Sequence, residues 1–379
     1  MSEILNDWMR AKLNARIEQD NLRTLPAPQS GIDFYSNDYR GWSTGGKIDS
    51  VLASKDVSEI KGLSGSTGSR LISGNSPLAE SIEKRIAEIH RAEAALLFGS
   101  GYMANLGVIG ALTDRHTCIV MDEYCHASMM DAAHGSIHKK ILKFRHNDIV
   151  DLEAKLKLCS GKILVLTESV YSMDGDVLPF EHVAKICLNY SAMLIVDEAH
   201  AIGVCGDNGI GLAYKFPGLS LVRIYTYGKA MACHGAAVAG TRLLIDFLIN
   251  FSRPFIYSTA PPAHQVLAIS AAYDLLEDDN DSLKKLRSNI SIFNSFVQEY
   301  HVKDIVATGS AIQLWMIRGN EQAKRASRFL LDSGINAKHI LSPTVAGGDE
   351  RIRICLHAFN SKDELMLLFE KMKEFQELN

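Results

Sequence analysis

Four clusters of polar residues follow strand-like apolar runs and could carry chemistry. They lie at residues 122–128, 168–176, 197–200 and 226–229 and contain carboxylates, histidines and one lysine. In open parallel sheets, ligands bind beyond the carboxyl ends of the strands, so residues that end strands are the first candidates for a binding site. These stretches therefore predict a site at one edge of a sheet.

Two of these residues would gain reactivity in a dry environment. Asp197 follows three apolar residues and could hold a cation such as a protonated pyridine nitrogen, although it could also simply cap the next helix. Lys229 stands in a stretch poor in charge, where a lysine kept out of water becomes a Schiff-base nucleophile. A single lysine in a loop is otherwise a surface residue. Pyridoxal 5'-phosphate needs both an aldehyde-binding lysine and an acid for its ring nitrogen, so the pair favours this cofactor.

Residues 99–105 (GSGYMAN) lie between an apolar run and a helical pattern and could bind a phosphate. Small residues there leave backbone N–H groups accessible at the start of a helix. A tight strand-to-helix turn would explain the same residues without a ligand. His126 could stack on a flat ring or act as an acid or base, or it could be a packed structural histidine.

Two other patterns do not support a nucleotide or metal site. Residues 62–70 (GLSGSTGSR) lack both the Gly-Lys-Ser/Thr ending of a Walker A loop and the spacing of G-x-G-x-x-G, so we interpret them as a flexible or substrate-lining loop. His134 and His138 are four residues apart but lack the glutamate of an H-E-x-x-H sequence. We therefore predict no metal.

The apolar pattern predicts an α/β fold. An amphipathic helix at the N-terminus leads into a link that reaches about Pro28, and this segment is too short to hold a core of its own. Helical stretches such as 76–90 and 180–188 then alternate with short apolar runs, which predicts a mostly parallel, helix-covered sheet. The strand-like runs are 94–98, 117–121, 162–167, 193–196 and 221–225.

Beyond about Asp278 the pattern changes to an α+β tail. We expect a charged helix at 282–299, a strand at 311–316, a helix at 321–331, a strand at 351–356 and a last helix from 363. The sequence thus predicts an N-terminal arm (1–45), a large cofactor-binding domain (46–277) and a small C-terminal domain (278–379).

Composition restricts the class of protein. The 379 residues are 47% hydrophobic and 22% charged, which is typical of a globular protein, and the net charge of −4 gives no basic field for nucleic acid. The seven cysteines show no C-x-x-C spacing and are odd in number, which favours a reducing, cytoplasmic location. The N-terminus lacks the apolar core of a signal peptide and no apolar run reaches about 18 residues, so no membrane span is expected.

Taken together, these stretches resemble the α-oxoamine synthases, pyridoxal-phosphate enzymes of fold type I, and the likeness runs nearly from end to end. The matching segments are 36–39 (SNDY), 68–75 (GSRLISGN), 122–128 (DEYCHAS), 172–176 (SMDGD), 196–200 (VDEAH) and 226–229 (TYGK). The resemblance implies a mostly parallel central sheet, a smaller C-terminal domain, an N-terminal helical arm and a homodimer with shared active sites.

The resemblance also implies roles for individual residues. Lys229 would bind the cofactor aldehyde, Asp197 would pair with the ring nitrogen, and His126 would stack on the ring. The remaining expected contacts are Ser172 and His200 to the phenolic oxygen; Gly101, Tyr102, Thr226 and, from the other subunit, Thr259 to the phosphate; Arg353 to the substrate carboxylate; Asn37 and Glu168 in the substrate site; and Arg23 to the acyl substrate.

Within this family, residues 235–238 (GAAV) and 256–262 (IYSTAPP) are most similar to members that condense L-alanine with a pimeloyl thioester, with loss of CO2 and thiol, in biotin synthesis. The acyl carrier would be coenzyme A or acyl carrier protein. Sister enzymes that use glycine, serine or another amino acid are the alternative. Arg40 and Trp42 replace the leucine and smaller aliphatic residue usual in the family, which leaves acyl-chain preference open.

Overall fold

A computed structural model describes residues 3–19, 21–25, 30–56, 63–216 and 221–378. Part of the predicted link before Pro28, and the first residue of the glycine-rich run at 62–70, lie outside these described residues. The chain divides into two compact units. The larger comprises Asn37–Ser172 and Asp176–Lys284, and the smaller comprises Met1–Ser36, Met173–Gly175 and Lys285–Asn379.

The described residues form strands and helices throughout the chain. The strands are β1 (Ile32–Asp33), β2 (Ala94–Phe98), β3 (Cys118–Asp122), β4 (Lys140–Phe144), β5 (Ile163–Glu168), β6 (Met193–Asp197), β7 (Leu221–Thr226), β8 (Ala236–Gly240), β9 (Ile305–Val306), β10 (Ile312–Met316), β11 (Ile335–Asn336), β12 (Lys338–Ile340) and β13 (Arg351–Cys355). The helices are α1 (Glu3–Glu18), α2 (Lys47–Ala53), α3 (Pro77–Ile89), α4 (Gly101–Leu112), α5 (Ala127–Gly135), α6 (Ile149–Leu156), α7 (Phe180–Asn189), α8 (Arg242–Phe251), α9 (Arg253–Ile256), α10 (Ala263–Asp278), α11 (Asn280–Tyr300), α12 (Asn320–Asp332) and α13 (Lys362–Glu377).

The larger unit is built on a seven-stranded sheet with the order β2-β8-β7-β6-β5-β3-β4. The pairs from β7 to β4 are parallel, and only β8 runs against its two neighbours. This confirms the predicted mostly parallel sheet. Strands β2, β3 and β5 are buried along their whole length, as continuous apolar runs require when helices cover both faces of a sheet.

Successive side chains along a buried strand pack on opposite faces of the sheet. On β3, Ile119 and Met121 pack with α4, α5 and α8, whereas Cys118 and Val120 pack with α6 and α7 on the opposite face. A third cluster joins α3 and α10 to the strand pair β2 and β8. Because both faces are covered by helices, the carboxyl ends of the parallel strands remain as an edge where polar side chains can meet.

The smaller unit contains a four-stranded antiparallel sheet, β12-β13-β10-β9, and a short parallel pair, β1 with β11. Its last helix, α13, begins with a capping box in which Ser361 and Glu364 satisfy each other's backbone N–H groups. Arg351 on β13 forms an ion pair of 2.6 Å with Asp174, which belongs to the same unit. Antiparallel strands with helices agree with the α+β tail predicted from the sequence.

Helix α1 differs from the other long helices because no residue in it is buried. Its apolar side chains Ile4, Trp8, Leu13 and Ile17 are each more than half exposed. The helix predicted at the N-terminus is therefore present, but within this chain its apolar positions face solvent. No helix in the described part of the chain is long and apolar enough to cross a membrane.

Arg40 and Trp42 are buried in the larger unit and serve its packing. The Arg40 guanidinium donates to Ser282 Oγ at 2.6 Å, to the Gly203 carbonyl at 2.9 Å and to the Asp279 carbonyl. It lies 4.5 Å from the centre of the Trp42 ring, whose Nε1 donates to Asp279 Oδ2 at 2.8 Å. The sequence left open an effect of these residues on substrate choice; their contacts instead connect the loop after β1 to the junction of α10 and α11.

Candidate active site

A cavity of about 260 Å³ lies in the larger unit, at the carboxyl ends of its parallel strands. Nine of the residues predicted from the sequence line it: Gly101, Tyr102, His126, Glu168, Ser172, Asp197, His200, Thr226 and Lys229. They come from distant parts of the chain, and strand order alone brings them together. Glu168, Asp197 and Thr226 are the last residues of the neighbouring strands β5, β6 and β7.

Asp197 is held by donors from two directions. Its Oδ2 accepts a hydrogen bond of 2.8 Å from Asn105 Nδ2, and its Oδ1 accepts one of 2.9 Å from the Ala199 N–H. Asn105 Nδ2 also donates to Ser128 Oγ at 2.9 Å, and that oxygen is 2.7 Å from His126 Nδ1. The carboxylate and the predicted ring-stacking histidine are thus joined through two polar side chains.

Asn105 and Ser128 lie in the predicted stretches 99–105 and 122–128, but neither was given a role of its own. Asn105 is four residues beyond Gly101 on α4, so it lies on the same face of that helix as the glycine. This spacing, together with the burial of a polar residue in an otherwise apolar helix, is the signal that could have identified it. Ser128 follows His126 by two residues and could have been predicted as its local hydrogen-bond partner.

Burial controls the protonation of two groups in the cavity. Burial lowers the pKa of His126, and the Lys229 cation lowers it further, while Asp197 acts in the opposite direction. Burial raises the pKa of Glu168 well above its usual value, and the nearby Asp197 carboxylate adds to the effect. Glu168 Oε1 nevertheless accepts a hydrogen bond of 2.5 Å from the His126 backbone N–H. The net effect on His126 is a lowered pKa, which favours its uncharged imidazole form.

The start of α4 forms a cradle beside Thr226. Ser100 caps the helix, its side chain accepting from the Met103 N–H at 3.3 Å. A Cβ added at Gly101 would lie 2.0 Å from Thr226 Oγ1, so only glycine allows the helix to approach β7 this closely. The Tyr102 hydroxyl donates to Asp131. A twelve-residue helix that begins against a hydroxyl group offers N–H donors and a partial positive charge to a phosphate.

His200 is connected to a residue predicted for the substrate site. The Tyr39 hydroxyl lies 2.8 Å from His200 Nδ1 and donates to Asn37 Oδ1 at 3.0 Å. Asn37 does not itself line the cavity of about 260 Å³, so its link to that cavity runs through Tyr39 and His200. Tyr39 is almost fully buried, which fixes the position of its hydroxyl beside the histidine.

Three other predicted residues lie away from this cavity. Thr259 is exposed in the segment after α9 of the larger unit. Arg353 is a buried residue of β13 in the smaller unit, opposite Leu314 in the antiparallel sheet. Arg23 lines a second cavity of about 560 Å³, within the smaller unit.

The cavity of about 260 Å³ fits pyridoxal phosphate. It provides an amine at Lys229, a buried carboxylate at Asp197 and a helix start crowded against Thr226, which match the cofactor's aldehyde, ring nitrogen and phosphate. An uncharged imidazole at His126 is suited to lie against a flat ring. The donors and acceptors that line this cavity are those that the cofactor requires.

Comparison with known proteins agrees with this chemistry. Residues 29–371 match the family described as aminotransferase class I and II. The chain is 35% identical over 350 residues to the 8-amino-7-oxononanoate synthase of Methylobacillus flagellatus, covering 91% of this chain and 87% of that protein.

Two solved structures show the same fold. The 8-amino-7-oxononanoate synthase from Francisella tularensis is 27% identical with a TM-score of 0.76, and the match covers 92% of this chain and 98% of that one. A serine palmitoyltransferase variant from S. paucimobilis, solved with PLP and myriocin bound, has a TM-score of 0.87 at 22% identity, with 100% and 99% coverage.

Proposed function

The chain belongs to the aminotransferase class I and II family of pyridoxal-phosphate-dependent enzymes, and we propose that it joins L-alanine to a pimeloyl thioester. It is an enzyme of the acyltransferase type. The proposed products are 8-amino-7-oxononanoate, CO2 and the free thiol of the carrier, in biotin synthesis. The observation that carries the proposal is the meeting of Lys229, Asp197, His126 and His200 in one cavity, in a chain whose relatives carry that enzyme name.

We assign Lys229 and Asp197 the central roles. When bound, pyridoxal phosphate supplies an aldehyde that combines with amines and a ring that withdraws electrons from neighbouring bonds. Lys229 Nζ would hold the aldehyde and, as a free amine, would accept the Cα proton of the amino acid. Asp197, fixed by Asn105 and the Ala199 N–H, holds the proton on the ring nitrogen.

The other cavity residues orient the cofactor and move protons. The N–H groups at Gly101 and Tyr102 and the Thr226 hydroxyl hold the phosphate, and Ser172 and His200 contact the phenolic oxygen. His126 lies against the ring and donates a proton to the carbonyl oxygen of the acyl group.

We also assign individual residues to the substrates. Arg353 binds the carboxylate of alanine, and Asn37 and Glu168 lie beside the amino acid. Arg23 contacts the acyl thioester. The second cavity supports this last assignment, since its ionisable lining residues are all basic: Arg16, Arg23, Lys324, Lys338 and His339. Both proposed carriers bring phosphate groups, and the pimeloyl chain ends in a carboxylate.

We also propose that the enzyme is a homodimer in which Thr259 contacts the phosphate bound by the other subunit. The segment that carries Thr259 is bonded to the loop at 68–75, because the Ala260 N–H donates to the Gly68 carbonyl at 3.0 Å. Ile72 on that loop and the nearby Tyr257 are 85% and 73% exposed. Exposed apolar side chains mark a protein interface where they form one continuous patch. Sedimentation that shows a fully active monomer would contradict the dimer.

We place the enzyme in the cytoplasm. All seven cysteines lie among the described residues, and no disulfide joins them. Five of the seven are buried, where a thiol packs as a small apolar side chain. This arrangement suits a reducing compartment.

The test of the reaction is thiol release by the purified enzyme loaded with pyridoxal phosphate. L-alanine, glycine, L-serine and 2-aminobutyrate are each offered with pimeloyl-CoA and, separately, with pimeloyl-acyl carrier protein. We expect release only with alanine, and the two carriers are then ranked by kcat/KM. Release with glycine or serine and not with alanine would assign the chain to a sister synthase. Conversion to the pyridoxamine form of the cofactor without thiol release would reject acyl transfer.

A further inference from the structure

His146 lies between two carboxylates in the larger unit, outside the lining of the candidate active site. Its Nδ1 is 3.0 Å from Asp122 Oδ1, and its Nε2 is 2.7 Å from Asp176 Oδ2. Asn147 repeats the connection, since its backbone N–H donates to Asp122 Oδ2 at 2.9 Å and its side chain to Asp176 Oδ2 at 2.6 Å. Two consecutive residues therefore bridge the same pair of acids.

The two acids belong to the loops that carry residues of the candidate active site. Asp122 ends β3, and its Oδ1 accepts from the Tyr124 N–H at 2.8 Å, which shapes the turn leading to His126. Asp176 follows the turn that begins at Ser172, and its carbonyl accepts from the Tyr171 N–H at 3.1 Å. A bridge between these acids therefore joins the loop of His126 to the loop of Ser172.

The contacts require a doubly protonated ring. A neutral imidazole has one N–H, and a carboxylate only accepts hydrogen bonds, so a neutral ring would direct a lone pair at one of the acids. With both nitrogens protonated, each acid receives a charge-assisted hydrogen bond. The same contacts raise the pKa of His146 to about 10, even though burial acts to lower it.

Aromatic rings fix the plane of the imidazole. Tyr124 stacks on it with a centroid distance of 4.5 Å and an interplanar angle of 23°. Tyr171 meets it edge-on at 4.4 Å and 86°. The Glu123 carboxylate accepts from the His146 backbone N–H at 2.9 Å. The titratable groups that face His146 are therefore Asp122, Glu123, Tyr124, Tyr171 and Asp176.

We propose that His146 is a positioning residue, whose imidazolium binds Asp122 and Asp176 together and so fixes His126 and Ser172 against the cofactor. This proposal rests on the roles given to His126 and Ser172 under the proposed function. His146 itself does not line the cavity assigned to the cofactor. Without the imidazolium, only the Asn147 contacts would hold the two acids together, and a displacement of about 1 Å in a positioning group can cost about a hundredfold in rate.

The test is His146→Gly with and without added imidazole. We expect kcat for thiol release to fall about 10- to 100-fold while the KM for alanine changes less than about threefold, since the loss is one of positioning. The visible circular dichroism of bound pyridoxal phosphate, which reports the asymmetry around the ring, should fall as well. Imidazole in solution should restore both, because His146 is partly exposed and the vacated site can be reached.

A matched control separates positioning from general destabilisation. Arg85 also bridges two acids, Asp274 and Glu277, and lies outside the cavity of about 260 Å³. Arg85→Gln should lower the free energy of unfolding but leave kcat and the cofactor's circular dichroism unchanged. Asp176→Asn should reproduce the His146→Gly effect, without rescue by imidazole.

Two outcomes would overturn the proposal. One is an unchanged circular dichroism signal in His146→Gly that is stably folded and saturated with cofactor. The other is equal loss in Arg85→Gln. If the wild-type enzyme fails to release thiol, the proposed reaction is wrong. The circular dichroism of the bound cofactor, measured with and without imidazole, would still decide the role of His146.

Discussion

Asn105 binds Asp197 and Ser128 with the same amide nitrogen, at 2.8 Å and 2.9 Å. The carboxylate assigned to the cofactor's ring nitrogen is thereby fixed from α4, the helix whose first residues are assigned to the phosphate. One helix thus positions the groups assigned to the two ends of the cofactor. Nothing else among the described residues connects Asp197 to α4 by a side-chain hydrogen bond.

Asn105→Ala should therefore weaken catalysis more than it weakens folding. The loss of a hydrogen bond to a charged group costs about 1.5–3 kcal/mol, which corresponds to about a 10- to 100-fold fall in kcat. Steady-state thiol release measures this fall in kcat. The control is Asn250→Ala, on the exposed surface of α8. A variant with wild-type kcat would show that Asp197 needs no support from α4.

Lys229→Ala should abolish turnover and change the visible absorbance of bound cofactor, since the amine that holds the aldehyde is gone. The variant should still retain pyridoxal phosphate through the phosphate cradle. Absorbance spectroscopy after gel filtration measures both, with Lys84→Ala on the exposed face of α3 as the control. An unchanged visible band would refute the role of Lys229.

Gly101→Ala should weaken cofactor binding. The added Cβ would lie 2.0 Å from Thr226 Oγ1, and such overpacking costs about 1–3 kcal/mol, or about 10- to 100-fold in dissociation constant. Fluorescence titration with pyridoxal phosphate measures the change. Gly101→Ala should also lower thermal stability. In the double variant Gly101→Ala with Thr226→Ala the overpacking is relieved, so thermal stability should recover. The affinity for pyridoxal phosphate should stay low, because the phosphate has lost its hydroxyl donor. Full recovery of affinity would remove Thr226 from the phosphate site.

Arg40→Met should destabilise the larger unit without altering substrate choice. The substitution removes the buried donor to the Gly203 carbonyl and to Ser282 Oγ and leaves the Asp279 carbonyl only a bond of 3.4 Å from Ser282, at a cost of about 2–4 kcal/mol. Urea unfolding measures the loss, and initial rates with acyl thioesters of different chain length test specificity. A changed chain-length preference at unchanged stability would contradict this assignment.

The protonation of His146 predicts a pH dependence of stability. Its pKa is raised from 6.5 to about 10 in the folded protein, by Asp122 and Asp176 against the effect of burial. The contribution of the charged His146 ring to the free energy of unfolding is therefore fully present below pH 6.5. It disappears as the pH rises to about 10. The difference in free energy of unfolding between wild type and His146→Gln should shrink over that interval. A constant difference would mean that the ring is not charged.

Much of the fold could be predicted because buried parallel strands are short apolar runs with polar ends. The run at 94–98 coincides with β2, and Glu168, Asp197 and Thr226 end their strands. Strand β4 was missed because Lys140 and Lys143 interrupt its apolar pattern at the edge of the sheet. Strand β8 was missed because alanine and glycine, which dominate it, carry little strand preference.

The site was predictable where one residue type defines a role, as with Lys229 and Asp197. Residues that act through others were not, because their roles depend on distances between strands that the sequence does not contain. Asn105 and His146 are of this kind. Three points remain predictions. They are the domain limits, the residue roles, and the contacts of Arg23, Asn37, Glu168, Thr259 and Arg353.

The pairing of β1 with β11 has a consequence for the order of events during synthesis on the ribosome. Ile32 lies beside Ile335, so the two strands are separated by about 300 residues, which take roughly 15–60 s to translate. The larger unit is complete at Lys284 and can collapse first. Strand β1 must wait for β11, and during this interval the unpaired strand of the nascent chain is open to binding by a chaperone.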